Sequence, residues 1–256
     1  MALFSLHQYD GWVNIAPMNE LDLEAAPAAP LAEILRPKTL DDVVGQAPLL
    51  GPQGRLRLML AHGSLGSIIF WGPPGTGKTT IARLLADAAD MAFEPISAVF
   101  DGVGELRKVF DRAAQRRLQG QRTLLFVDEV HRFNKAQQDG LLPRVEDGTV
   151  TLVGATTENP SFALNGALLS RAQVLVLDRL DSAALEAILS RLEVHIGRDL
   201  PIDDDARAAL LGMADGDGRY LLNMASLLVE MPAATRLGSR GLAELVAGRA
   251  PAFDRA

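Results

Sequence analysis

The 256-residue sequence predicts an α/β fold: a five-stranded parallel sheet flanked by helices, followed by a small all-helical subdomain. Three observations predict it. Five short runs, at 67–71, 93–97, 123–127, 150–155 and 173–177, are β-rich and mostly apolar, as strands buried on both faces should be. Helical stretches separate those runs, which implies right-handed crossovers between parallel strands. Beyond Leu177 the strand pattern ceases and only helical periodicity remains. The length suffices for one large domain and a smaller one. The expected division is a leader at 1–30, an α/β core at 31–177 and a helical subdomain at 178–256.

Taken in order, residues 1–30 carry no sustained periodicity and end in Ala25-Ala26-Pro27-Ala28-Ala29-Pro30, the composition of a flexible leader. Met18 is an alternative start. Residues 1–10 lack the basic segment and apolar run of a signal peptide. The run Ile68-Ile69-Phe70-Trp71 is far too short to cross a bilayer and reads as a buried strand. After the glycine-rich segment that follows it, Ile81, Leu84, Leu85 and Ala88 fall at i, i+3, i+4 and i+7 of one helix. Residues 104–118 and 135–146 are polar enough for surface helices. In the last part, Asp181 is the expected N-cap of a helix with its stripe at Leu185, Ile188, Leu189 and Leu192. A second helix follows Asp203-Asp204-Asp205, whose charges suit a helix N-terminus. A third starts near Arg219.

Composition narrows the chemistry. Hydrophobic content of 48% and charged content of 22% are those of a globular protein. The sequence has no cysteine, so disulfides, thiolate metal sites and cysteine nucleophiles are excluded; that agrees with a cytoplasmic protein. A formal net charge of −7 argues against nucleic-acid binding by bulk charge, so any such contact needs a local basic patch. His7, His62, His131 and His195 have no metal-ligand spacing and read as surface or structural residues.

Gly72-Pro73-Pro74-Gly75-Thr76-Gly77-Lys78-Thr79 fits G-x-x-x-x-G-K-[ST] between an apolar strand and a helix, with Thr80 next in that helix. Glycines let backbone amides turn toward a β-phosphate, and the helix N-terminus adds positive potential. Lys78 then reaches the β- and γ-phosphates of ATP, and the Thr79 hydroxyl ligates Mg2+. A chance match in a chain of this length is on the order of 1%.

The strand at 123–127 ends in Asp128-Glu129. On a strand tip beside the phosphate loop, Asp128 would hold the Mg2+ water shell and Glu129 would polarise the attacking water. Alone, two acids at a strand end are ordinarily a solvated loop; the upstream loop changes the reading. Thr156 and Thr157 end the next strand. A hydroxyl there senses the γ-phosphate or orients water, and Thr157 is the expected one, Thr156 capping the following turn. Arg171, after a short helical segment, has the placement of an arginine finger inserted into a neighbouring subunit, or of an ordinary surface arginine. Arg219 opens a helix that could close over the γ-phosphate; the bland alternative is a solvated residue in a turn.

Three further segments carry a family resemblance: Arg36-Pro37 followed by Leu40-Asp41-Asp42-Val43-Val44-Gly45-Gln46, Asp128 to Lys135 (DEVHRFNK), and Gly154 to Phe162 (GATTENPSF) with Ala167-Leu168-Leu169-Ser170-Arg171. Together they resemble the replication-associated recombination protein A family, AAA+ ATPases akin to the Werner-helicase-interacting protein, from about Leu31 to Asp254. The resemblance implies a P-loop AAA+ core with a helical lid. It implies Lys78, Thr79, Asp128 and Glu129 in the roles above, Thr157 as first sensor, Arg171 as finger and Arg219 as second sensor. It places Arg36, Pro37, Val44 and Gly45 at the adenine. It also implies partners: DNA at forks, single-stranded ends or gaps, the single-strand-binding protein, and a homo-oligomer, in a cytoplasmic, nucleoid-associated setting without a membrane.

The sequence departs from the family at two places. The family continues beyond a segment like 249–254 into a helical oligomerisation domain, so a truncated protein or fragment retaining core and lid is expected. Gly218 and Tyr220-Leu221 flank Arg219 where an alanine and more basic residues are usual. Two alternatives stay open: a nucleotide-dependent binding module with little turnover, and a clamp-loader or Holliday-junction-motor ATPase, which the Phe133-Asn134-Lys135 and Glu158-Asn159-Pro160 text fits less well.

Overall fold

Five parallel strands form, with bounds within two residues of the apolar runs: β1 (Ile68–Trp71), β2 (Met91–Ser97), β3 (Arg122–Asp128), β4 (Thr151–Thr156) and β5 (Gln173–Val176). The computed structural model describes residues 29–232 and 234–248; the expected leader, with Met18, lies outside them except for Ala29 and Pro30. Strand order is β2-β3-β4-β1-β5. The acid-tipped strand β3 is not next to β1: β4 lies between them, pairing with both. At about 4.8 Å per strand, the acids are therefore roughly 10 Å across the sheet from the phosphate loop's own strand.

Successive side chains of a strand face opposite ways, and here both faces are buried. Ile68, Phe70, Leu124, Phe126, Val153 and Ala155 pack with the helix after the phosphate loop, α4 (Lys78–Ala88). Two short helices complete that layer, α2 (Ala47–Leu50) and α3 (Arg55–Ala61), through Leu49, Leu50, Leu56 and Met59; the single-turn α1 (Leu31–Ile34) packs with the helices that follow β5. On the other face Ile69, Leu125, Val127 and Leu152 meet α5 (Val103–Leu118) and α6 (Lys135–Glu146) through Leu106, Val109 and Leu141. Two single-turn helices, α7 (Pro160–Ala163) and α8 (Gly166–Leu169), lead from β4 to β5.

After β5 come α9 (Ser182–Ile196), α10 (Asp204–Ala214), α11 (Gly218–Val229) and α12 (Ser239–Gly248). Asp181 makes its expected cap, accepting from Ala184 N–H at 2.8 Å, and Asp203, first of the acidic run, caps α10 by accepting from Ala206 N–H at 2.8 Å. These helices share their own apolar cluster, centred on Leu189, Leu192, Leu210, Leu221, Leu228 and Leu242. Leu31, Leu35 and Val44, grouped by sequence with the α/β core, pack into this helical cluster instead. No helix among the described residues is long and apolar enough to cross a membrane.

Candidate functional site

The loop between β1 and α4 is built on left-handed torsions: φ is +68° at Gly75 and +95° at Gly77, the residue that precedes the helix. Only glycine takes these conformations without strain. The first amides of α4 have no intrahelical acceptor, so the helix begins as an anion site. Lys78 is buried, and its Nζ donates to the carbonyls of Gly72 and Pro73 at 2.8 Å each. Burial pushes its ammonium below the usual lysine range, while Glu129 and Asp128 act in the opposite direction. Thr76, also buried, donates its hydroxyl to Pro73 O at 3.0 Å, which fixes the turn. Thr79 and Thr80 are partly exposed in the first turn of α4. A cradle of free amides and one ammonium, faced by two carboxylates, fits a polyphosphate with a divalent cation.

Glu129 leaves β3 in the left-handed region (φ 51°, ψ 46°), a conformation that costs a non-glycine residue about 1 kcal/mol or more and concentrates at functional sites. Its backbone N–H donates to Asp128 Oδ1 at 3.2 Å. The two threonines differ in setting. Thr156 is fully buried and its Oγ1 accepts from Glu158 N–H at 3.0 Å, a turn cap. Thr157 is exposed, and its hydroxyl lies 3.5 Å from Glu129 Oε2. His131 is a residue the sequence reading missed. Of the two settings expected for it, surface or structural, its buried ring takes the second, with Nδ1 3.2 Å from Glu129 Oε2. The available signal was its spacing, two residues beyond the carboxylate pair.

The helical subdomain reaches this loop. Gly218 N–H donates to Gly75 O at 3.2 Å, and a Cβ on Gly75 would fall on the Asp217 carboxylate. Asp217 caps α11 by accepting from Tyr220 N–H at 2.8 Å. Arg219 is exposed beside it, close enough for its charge to lower the Lys78 pKa. Asp217 is thus a second residue of the site that the sequence reading did not single out. Its cap position was legible, but its contact with Gly75 was not.

Arg171 stands elsewhere. Gln173 pairs with Ile68 and Val176 with Trp71, so Arg171 is at the N-terminal end of β5 and the phosphate loop at the C-terminal end of β1. The separation is roughly 15–20 Å along the strand direction, beyond the reach of one arginine. Its guanidinium pairs with Glu146 at 2.5 Å and donates to Ala167 O at 2.8 Å.

Of the segment expected at the adenine, Arg36 donates to Thr80 Oγ1 at 3.1 Å and also pairs with Glu33. Gly45 (φ +75°) lies so close to Leu180 and Ala184 of the helical subdomain that a Cβ would be 2.6 Å from Leu180 Cδ2. The next residue, Gln46, is buried and donates to Asp178 O at 2.9 Å. Gly45 also lines an open cavity of about 520 Å³ with Val43, Gln46 and Leu50. Arg36, Pro37 and Val44 are not among that cavity's lining residues.

Residues 68–196 match the ATPase family associated with various cellular activities (AAA). Replication-associated recombination protein A of Escherichia coli K12 is 44% identical over 244 residues, which are 91% of this chain and 55% of that protein. ATPase WRNIP1 of Dictyostelium discoideum is 43% identical over 206 residues, 79% of this chain and 24% of its own length. Among solved structures, the Thermotoga maritima RuvB Holliday junction branch migration motor aligns with a TM-score of 0.66 at 26% identity, covering 84% of this chain and 72% of the other. The chain spans about half the length of the first curated relatives it matches. These relatives agree with the resemblance carried by the motif segments.

Proposed function

Because the chain belongs to the ATPase family associated with various cellular activities, we propose that it hydrolyses ATP at the phosphate loop and couples nucleotide state to remodelling of DNA or of the replication machinery. The observation that carries the reading is the buried Lys78 ammonium, held by Gly72 O and Pro73 O and faced by Asp128 and Glu129. Residues Gly72 to Thr80 cradle the phosphates, with Lys78 exchanging its carbonyl partners for phosphate oxygens. Thr79 and Asp128 hold a magnesium ion, whose charge offsets that of the phosphates. Glu129 accepts a proton from water as its oxygen attacks the γ-phosphorus in line; the bond to the β–γ bridging oxygen breaks and ADP and phosphate leave. Thr157, 3.5 Å from Glu129 Oε2, senses the γ-phosphate. Arg219 reaches the same group from the helical subdomain, which serves as a lid.

Arg171 acts on a neighbouring copy. The separation set by the strand register supports that role over any role in its own site. A lone subunit is then without its finger, and this favours slow turnover until a homo-oligomer forms. Adenine is held where Gly45 meets Leu180, with Arg36, Pro37 and Val44 alongside. The name of the Escherichia coli relative, replication-associated recombination protein A, supports a role in replication and recombination; DNA forks, single-stranded ends or gaps as substrates, the single-strand-binding protein as a partner and a cytoplasmic, nucleoid-associated setting rest on the motif resemblance alone. A Holliday-junction motor is the second reading, favoured by the fold likeness to RuvB.

Steady-state ATP turnover with magnesium, alongside binding of a fluorescent ATP analogue, tests the assignment. Lys78→Ala should lose binding. Glu129→Gln should keep binding and lose turnover by about 10²-fold or more; wild-type turnover in that variant refutes the site.

A further inference from the structure

The His131 ring is 3% exposed and lies in the short turn directly after Glu129. Its Nδ1 is 2.9 Å from Thr156 Oγ1 and 3.2 Å from Glu129 Oε2, and its Nε2 is 3.4 Å from Glu158 Oε1. The Thr156 hydroxyl donates to Glu158 O at 3.2 Å and its oxygen accepts from Glu158 N–H at 3.0 Å. Of the two Nδ1 contacts, the one to Thr156 Oγ1 is the shorter and has hydrogen-bonding geometry, so it fixes the ring with Nδ1 3.2 Å from the Glu129 carboxylate. That carboxylate is about one-third exposed and accepts from the Thr157 hydroxyl at the longer distance of 3.5 Å. A glutamate in this setting keeps several rotamers unless something holds it.

We propose that His131 is a positioning residue for ATP hydrolysis: its ring, fixed by Thr156, lies against the Glu129 carboxylate and holds it in the orientation that meets the attacking water. The inference rests on Glu129 as the base. Through Thr156 and Glu158 the same ring is anchored to the end of β4, so the base and the expected γ-phosphate sensor, Thr157, share one support. Misplacement of a reacting group by about 1 Å is enough to cost on the order of 10²-fold in rate. Binding of the nucleotide does not use this contact.

The test compares His131→Ala, His131→Asn and His131→Gln with wild type and Glu129→Gln, by kcat for magnesium-ATP, Kd for a fluorescent ATP analogue and thermal stability. Asparagine returns an N–H near the Nδ1 position; glutamine returns one near Nε2. The expected result is a fall in kcat of about 10–100-fold for His131→Ala with Kd within about twofold of wild type. His131→Asn should recover more turnover than His131→Gln. Normal kcat in His131→Ala beside an inactive Glu129→Gln overturns the inference alone. So does a loss of analogue binding that matches the loss of kcat, or equal turnover in the Asn and Gln variants, the comparison that decides if His131→Ala does not fold. A wild-type chain without turnover, or normal turnover in Glu129→Gln, overturns the reading of the site and this inference together.

Discussion

Replacing Gly75 with alanine should lever the helical subdomain off the phosphate loop. The new Cβ would lie 1.8 Å from Asp217 Oδ1, 2.2 Å from its Cγ and 2.9 Å from its Cα. The left-handed torsion at Gly75 adds strain of about 1–2 kcal/mol for any L side chain. Moving Asp217 away breaks the Gly218 N–H to Gly75 O bond, a net loss of about 1 kcal/mol. It also disturbs the cap on Tyr220, worth about 1 kcal/mol. The sum is roughly 3–4 kcal/mol, which lowers Tm by about 6–16 °C for a domain of this size. Calorimetry reads that shift, and hydrogen exchange should report lost protection in the first turn of α11. In an Asp217→Ala background the side-chain clash is absent and the 2.9 Å approach to the Cα remains, so Gly75→Ala should cost less than in wild type, the torsional strain of about 1–2 kcal/mol plus a small shift of α11. An equal cost in both backgrounds, or unchanged exchange in α11, would refute the docking of lid on loop.

Two other outcomes follow. Arg171→Ala should bind the ATP analogue normally yet turn over slowly, and mixing it with Lys78→Ala subunits should restore turnover, because one variant supplies the finger and the other the site; no recovery on mixing excludes action in trans. Glu94, 10% exposed on β2, accepts from Arg112 at 2.7 and 3.1 Å and from Arg116 at 2.5 Å. The hydrogen bond from Arg112 holds its carboxyl below the ordinary 4.5. A carboxylate depressed in the folded state stabilises above its unfolded pKa, and that contribution fades as pH falls through the folded value. Glu94→Gln should therefore cost on the order of 2 kcal/mol at pH 7, and urea titrations should find the gap to wild type closing below pH 4.5. A gap independent of pH would contradict the ion-pair account.

The strands were legible because burial on both faces writes itself as continuous apolar text, and Ile69 and Phe70 do face opposite cores. Their order was not, since insertion of β4 between β1 and β3 is decided by crossover packing that no local pattern encodes. The helix with a full stripe, α9, and the one announced by an acidic run, α10, were legible; α1, α2, α7 and α8, at four residues each, are too short to carry a period. At the site, the phosphate loop, the acid pair and Thr156 as a turn cap were readable as local chemistry. His131 and Asp217 were not, because their roles come from what lies across space: Glu129 and Glu158 for one, Gly75 for the other. Arg171 falls between: its position was legible, and its direction away from its own phosphate loop needed the register.

The central claim is geometric, and a crystal structure of the chain with magnesium and a non-hydrolysable ATP analogue tests it most directly. The account predicts Lys78 Nζ within hydrogen-bonding distance of the β- and γ-phosphate oxygens, having left Gly72 O and Pro73 O. It predicts the metal about 2.1 Å from Thr79 Oγ1, with Asp128 facing its water shell and Glu129 facing the γ-phosphorus. An analogue whose phosphates lie away from the loop, or a metal held without Thr79 and Asp128 nearby, would contradict it.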